Sequence, residues 1–223
     1  METRILDFPF GILDLEGVVL NPGILYRREF GRFLERRFRI SAKEALLFYQ
    51  AHETLPLEMK LQRILAQHGL PTDQVAQVVE EFQEAAHAGK PVVSEGAREV
   101  LELLRSRQTL LFALSTTDSQ TAKRKIEAAG LDGFFREVVG MDQAPTRRGQ
   151  IEACASIASL PLSAFASQAF FLAGDPEEVS IAREVGLYCI GFAHAFPEAA
   201  FQVHGAQEVY RHIAHLALGL RGA

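Results

Sequence analysis

The residues best suited to chemistry stand where apolar runs stop. Phe10 to Leu13 is an apolar run that ends at Asp14, and Leu15, Glu16 and Gly17 follow before apolarity resumes at Val18. Side chains alternate along an extended chain, so Asp14 and Glu16 point the same way if the strand persists that far. Two carboxylates brought together at a strand end repel unless a cation or a shared proton lies between them. A second run, Leu110 to Leu114, ends in Ser115, Thr116 and Thr117, and a third, Ala169 to Ala173, ends in Gly174 and Asp175 with Glu178 just beyond. A carboxylate nucleophile, a hydroxyl beside backbone N–H groups at a strand-to-helix turn, and a second carboxylate set for a hard cation are together the parts for phosphoryl transfer.

Such groups must be positioned by the elements that carry them. From about Lys90 onward the pattern alternates between helical spacing and short continuous apolar runs, which predicts strands buried on both faces and separated by helices. Strands are expected at Leu110 to Leu114, Val138 to Val139, Ala169 to Ala173 and Tyr188 to Phe192, with a further short one near Phe201 to Val203 and a closing helix through Val209, Ile213 and Leu216. Val18 to Leu25, containing Asn21, Pro22 and Gly23, reads as a loop. Between Leu25 and His87 every segment reads as helix. Phe30, Phe33, Leu34 and Phe38 recur at helical spacing among five arginines, Ser41 and Glu44 form a capping-box pattern, and further helices are expected from Pro56 and from Thr72. The expected fold is α/β: a Rossmann-like parallel sheet core with helices on both faces, residues 1–20 and 90–223, plus an inserted all-helical cap domain, residues 21–89. In open parallel sheets ligands bind outside the carboxyl ends of the strands, where the three polar run ends would meet.

Composition narrows the partners. The 223 residues suffice to bury a sizeable core, and a 48% hydrophobic, 23% charged composition is that of a globular protein. A formal net charge of −5 argues against broad nucleic-acid binding, which needs a basic face. No apolar run is long enough to cross a bilayer, so no membrane partner and a cytoplasmic location are expected. Cys154 and Cys189 read as small buried residues of a helix and a strand.

The phrases DLEGVV, LFALSTTD and FFLAGDPEEVSIAREVG, in this order, resemble the haloacid dehalogenase superfamily. The helical insertion after the first phrase is similar to the cap of its phosphoglycolate phosphatase-like and beta-phosphoglucomutase-like branches. The resemblance implies that Asp14 attacks the phosphoryl group. It gives Glu16, in place of the usual aspartate, the role of protonating the leaving group and then activating water. The phosphoryl-binding hydroxyl falls on Ser115, with the Thr116 backbone N–H beside it. The third motif normally supplies a lysine, and PTRRGQIEACASI has none. Arg148 is placed there by its offset from the following helix and from Asp175, with Arg147 next to it; Lys123 or Lys125 can deliver the charge instead. Magnesium is the implied cofactor, held by Asp14, the Glu16 backbone carbonyl and Asp175, with Glu178 as the second acid of the fourth motif.

The function expected from all this is a magnesium-dependent phosphatase of a small phosphorylated metabolite, a monomer or homodimer, working through a phosphoaspartate. Two alternatives stand beside it. One is a non-catalytic binding protein of the same fold, suggested by the missing lysine and the Glu16 substitution. The other is an enolase-phosphatase-like enzyme, suggested by the aspartate-x-glutamate-glycine order.

Overall fold

A computed structural model describes residues 4–52, 55–87 and 89–221. The chain divides into two compact units, residues 1–21 with 93–223, and residues 22–92.

The first unit is built on strands β1 (Phe10–Asp14), β2 (Leu110–Leu114), β3 (Glu137–Val139), β4 (Ala169–Ala173), β5 (Tyr188–Phe192) and β6 (Glu208–Tyr210). They form one sheet in the order β3-β2-β1-β4-β5-β6, and every pairing is parallel. Alternation explains the continuous apolar runs. Leu13, Leu111, Ala113, Phe170 and Leu172 enter a core on one face, while Ile12, Phe112, Leu114, Phe171 and Ala173 enter a second core on the other. Both cores are closed by helices, so each strand residue is buried whichever way it points. Phe170 and Phe171 are fully buried on opposite faces, and truncating either to alanine should cost about 3–5 kcal/mol.

The second unit contains α1 (Pro22–Phe38), α2 (Ala42–Ala51), α3 (Leu57–Gln67) and α4 (Val75–His87). Phe30, Phe33, Leu34, Leu61, Ile64 and Phe82 form its core, with edge-to-face contacts of Phe82 to Phe30 and Phe33. In the first unit the helices are α5 (Ala97–Ser106), α6 (Ser119–Ala128), α7 (Arg147–Ile157), α8 (Leu162–Ala166), α9 (Pro176–Glu184), α10 (Glu198–Val203) and α11 (Ile213–Arg221).

Several local expectations change. Pro22 and Gly23 open α1 and are not loop, because a proline costs nothing in the first helical turn, where its missing N–H has no partner to lose. Ser41 does stand at the N-cap of α2 but makes no side-chain cap, and Glu44 turns instead to His68, 2.8 Å away. Phe201 to Val203 belongs to helix α10, and Val209, read as part of the closing helix, lies in β6. Among the described residues no helix is long and apolar enough to cross a membrane. Both cysteines are buried and free, and burial pushes each thiol pKa up to about 12.

Candidate active site

From β1 the chain passes to β2 and β3 on one side and returns through β4, β5 and β6 on the other. The crevice between diverging connections therefore opens at the carboxyl end of β1, and Asp14 is the last residue of that strand. Register sets Asp14 opposite Leu114, so that Ser115 follows on one side, while Gly174 and Asp175 follow β4 on the other. Asp14 is 4% exposed. Two glycines let the loops close around it: a Cβ on Gly174 would lie 3.2 Å from Asp14 Oδ2 and 3.3 Å from Gly17 Cα, and Gly17 itself has φ +110°, where L side chains are strained.

The positive charge comes from Arg147. Its Nη2 donates to Asp14 Oδ1 at 3.2 Å and also to Glu178 Oε1, and its Nη1 donates to Gln150 Oε1 at 2.9 Å. The assignment of this role to Arg148 is corrected. Thr146 caps α7, which starts at Arg147, and successive helical residues are about 100° apart around the axis. Arg147 therefore faces the strand ends with 7% of its side chain exposed, whereas Arg148, 52% exposed, pairs with Glu152 one turn on. Lys123 is likewise elsewhere, on Glu137 at 2.7 Å.

Glu16 lies on the opposite flank of the site from Glu178. Ser115 Oγ donates to the two Glu16 carboxylate oxygens at 3.1 and 3.0 Å, and Lys125 Nζ reaches Glu16 Oε1 at 2.8 Å. Ser115 is fully buried, and the Thr117 N–H donates to its Oγ at 3.1 Å. Thr116, beside it, is exposed at the turn. The turn is pinned from the next loop: Met141 N donates to Thr117 O at 2.9 Å, and Asp142 accepts from both the N–H and the hydroxyl of Ser119 at 2.7 Å. Asp175 caps α9 by accepting from Glu177 N at 2.8 Å. It thus stands at a helix N-terminus, where anions are favoured.

A family model for haloacid dehalogenase-like hydrolases matches residues 12–154. The chain belongs to that family. Solved structures agree with this hydrolase in fold. A protein assigned as a beta-phosphoglucomutase from Thermotoga maritima is 17% identical, with a TM-score of 0.69 over 96% of this chain and 98% of its own. A family hydrolase from Deinococcus radiodurans, with bound phosphate and sodium, is 20% identical, with a TM-score of 0.65 over 97% of each chain. A haloacid dehalogenase-like protein from Streptococcus pneumoniae is 18% identical, with a TM-score of 0.65 over 95% and 98%. No curated protein matches the sequence significantly.

In this haloacid dehalogenase-like hydrolase the site carries more acid than base. Asp14, Glu16, Asp175 and Glu178 face the two fixed cations Arg147 and Lys125, an excess of two negative charges when every group is ionised. The Asp14 carboxyl is held well above its ordinary pKa, first by burial and then by Glu178, with Arg147 opposing and Glu16 and Asp175 adding to the rise. Burial also raises Glu178 against the pull of Arg147, and its Oε2 is buried with no hydrogen-bond partner. A buried, unpartnered carboxylate oxygen in a site short of two positive charges suits a hard divalent cation. Among the described residues no three His, Cys, Asp or Glu side chains are arranged as a ready metal-binding group.

Of the two lysines offered as alternative sources of the charge, Lys125 is the one that reaches the site, on Glu16. Gln150 and Asp142 carry no pattern in the sequence and read as ordinary polar positions of a helix start and a loop.

Proposed function

We propose that this hydrolase is a magnesium-dependent phosphatase of a small phosphorylated metabolite, working through a phosphoaspartate at Asp14. The observation that carries the reading is the flanking of one buried carboxylate by two different kinds of partner. Arg147 sits on Asp14 on one side, and the Glu16–Ser115–Lys125 group stands on the other. The phosphate bound to the related Deinococcus protein is consistent with such a ligand here.

In the first half-reaction an Asp14 carboxylate oxygen attacks phosphorus, the bond to the ester oxygen breaks with its electron pair, and Glu16 gives that oxygen its proton. In the second, water attacks the same phosphorus, its proton passes to Glu16, and the bond to Asp14 breaks to free phosphate. Glu16 is thereby reset. Arg147 holds the Asp14 carboxylate in one rotamer and offsets its charge as a dianion approaches. Ser115 keeps its proton and turns its hydroxyl hydrogen bond from Glu16 to a phosphoryl oxygen, releasing Glu16 for proton transfer. Asp14, Asp175 and the Glu16 main-chain carbonyl would hold the magnesium ion, with Glu178 beside them. When bound, that ion supplies the charge neutralisation that the excess of acids calls for. That the helical unit is an inserted cap domain belongs to the same proposal.

The test is phosphate release by purified protein from p-nitrophenyl phosphate and a panel of sugar and acid phosphates, with magnesium and with EDTA. Rapidly quenched protein should carry a phosphoryl mass on the peptide containing Asp14. No release with magnesium, manganese or cobalt across the panel defeats the reading.

A further inference from the structure

Arginine is a demanding choice for the charge beside Asp14. A lysine is a point charge that can turn freely, but a guanidinium is a plane with a fixed fork of five N–H donors. Once Nη2 addresses Asp14 and Glu178, the plane still has to be held in the orientation that lets one nitrogen meet two carboxylates. Nη1 is left facing the protein interior, where an unmet donor is costly.

Gln150 meets that need. It is 1% exposed, and both ends of its amide are used. Oε1 accepts from Arg147 Nη1 at 2.9 Å, and Nε2 donates to the Ser115 carbonyl oxygen at 2.9 Å. The amide cannot be reversed, because the reversed group would set donor against donor at Arg147 and acceptor against acceptor at Ser115. Gln150 stands three residues after Arg147 in α7, so the two side chains lie on one helix face and the backbone itself fixes where the acceptor sits. The other end grips the turn whose hydroxyl bonds Glu16. One buried amide thus joins the cationic half of the site to the hydroxyl half.

We infer that Gln150 is a positioning residue for Arg147: it orients the guanidinium toward Asp14 and Glu178 and keeps it in register with the Ser115 turn. The inference rests on the phosphatase reading for its kinetic consequences, though not for its geometry. It implies that arginine serves here because glutamine supports it.

The experiment is a double-mutant cycle with magnesium and p-nitrophenyl phosphate, using Gln150→Met in the wild-type and the Arg147→Lys backgrounds. Methionine conserves volume and helix propensity while removing both hydrogen bonds. In the wild-type background kcat should fall about 10- to 100-fold, the scale of a misplacement of about 1 Å, with KM moving less than about threefold. In the Arg147→Lys background the same change should alter kcat by less than about threefold, because a lysine ammonium is a point charge with no plane for the amide to orient. Equal fold losses in the two backgrounds, or no loss in the first, overturn the inference. A second measurement needs no variant: in a crystal structure of the wild-type protein with magnesium and inorganic phosphate, Gln150 Oε1 should remain within hydrogen-bond distance of Arg147. A guanidinium turned away from Gln150 in that complex overturns the inference even if Gln150→Met fails to fold. Failure of wild-type turnover bears on the phosphatase reading alone, and the crystal structure then still decides the role of Gln150.

Discussion

Arg147 and Arg148 are adjacent in the chain, yet the first is buried against Asp14 and the second lies in solvent against Glu152. One residue of helical phase separates a cation that can act on the site from one that cannot.

The two arginines should therefore differ sharply under mutation. Arg147→Ala should lower kcat by about 10²–10³-fold, the scale of removing one preorganised charge donor. Arg148→Ala removes an exposed i,i+4 pair of about 0.3–0.5 kcal/mol and should leave activity within about twofold. Steady-state kinetics on both variants checks this, and the reverse ranking would return the role to Arg148.

Asp14→Asn should abolish turnover and at the same time stabilise the metal-free protein. Asparagine keeps the volume and removes one charge from a buried site with an acid excess, while Arg147 retains Glu178 as partner. Thermal melting in EDTA at neutral pH should give a higher Tm for the variant. A lower Tm would mean that the Asp14–Arg147 pair outweighs the repulsion among the acids.

The pH dependence follows from the raised carboxyls of Asp14 and Glu178. A carboxyl whose folded pKa is raised binds protons more tightly in the folded state, so its contribution is present at low pH and is lost as pH rises from about 4 through the folded values. A divalent cation competes with those protons. The increase in Tm on adding magnesium should be larger at pH 8 than at pH 5, measured by differential scanning fluorimetry at constant ionic strength. An increment that is equal at the two values, or larger at pH 5, removes these carboxyls from the metal site.

Glu16→Gln should leave phosphate affinity largely intact and slow turnover by about 10²–10⁴-fold, the usual contribution of general acid–base catalysis. The loss in the first half-reaction should be greater for a sugar phosphate than for p-nitrophenyl phosphate, since nitrophenolate needs little protonation. An identical factor for both substrates would show that Glu16 is not the acid of the first step.

Much of the fold was legible because the strands of a doubly covered parallel sheet advertise themselves: Phe170 to Ala173 is apolar without interruption since both faces are buried. Edge strand β6 was not, because its buried Glu208 is satisfied by the hydroxyls of Tyr188 and Tyr210, each at 2.6 Å, and nothing local announces that arrangement. The same division runs through the site. Asp14, Ser115 and Asp175 could be picked out as candidates because each ends or follows a strand. Arg147 could not be separated from Arg148, because helical phase depends on where Thr146 caps α7. Gln150 carries no local sign, since its burial exists only once α7 packs against the strand ends. The non-catalytic alternative rests on the missing lysine and on Glu16 in place of aspartate; Arg147 and Lys125 set two cations against the site's acids, which bears on the first of these grounds and leaves the second to the kinetics of Glu16→Gln.

The place of β1 in the middle of the sheet also bears on how the chain folds as it is made. Phe10 pairs with Leu110 and with Ala169, so the central strand must await partners about a hundred residues and more downstream. Residues 22–92, continuous and with a core of their own, are complete before β2 is synthesised. Non-local parallel pairing is slow, and an apolar strand left waiting is exposed to aggregation. The segment carrying Asp14 is thus made before either of its partners and secured only after them, so chaperone dependence during expression should be governed by β1 and not by the helical unit.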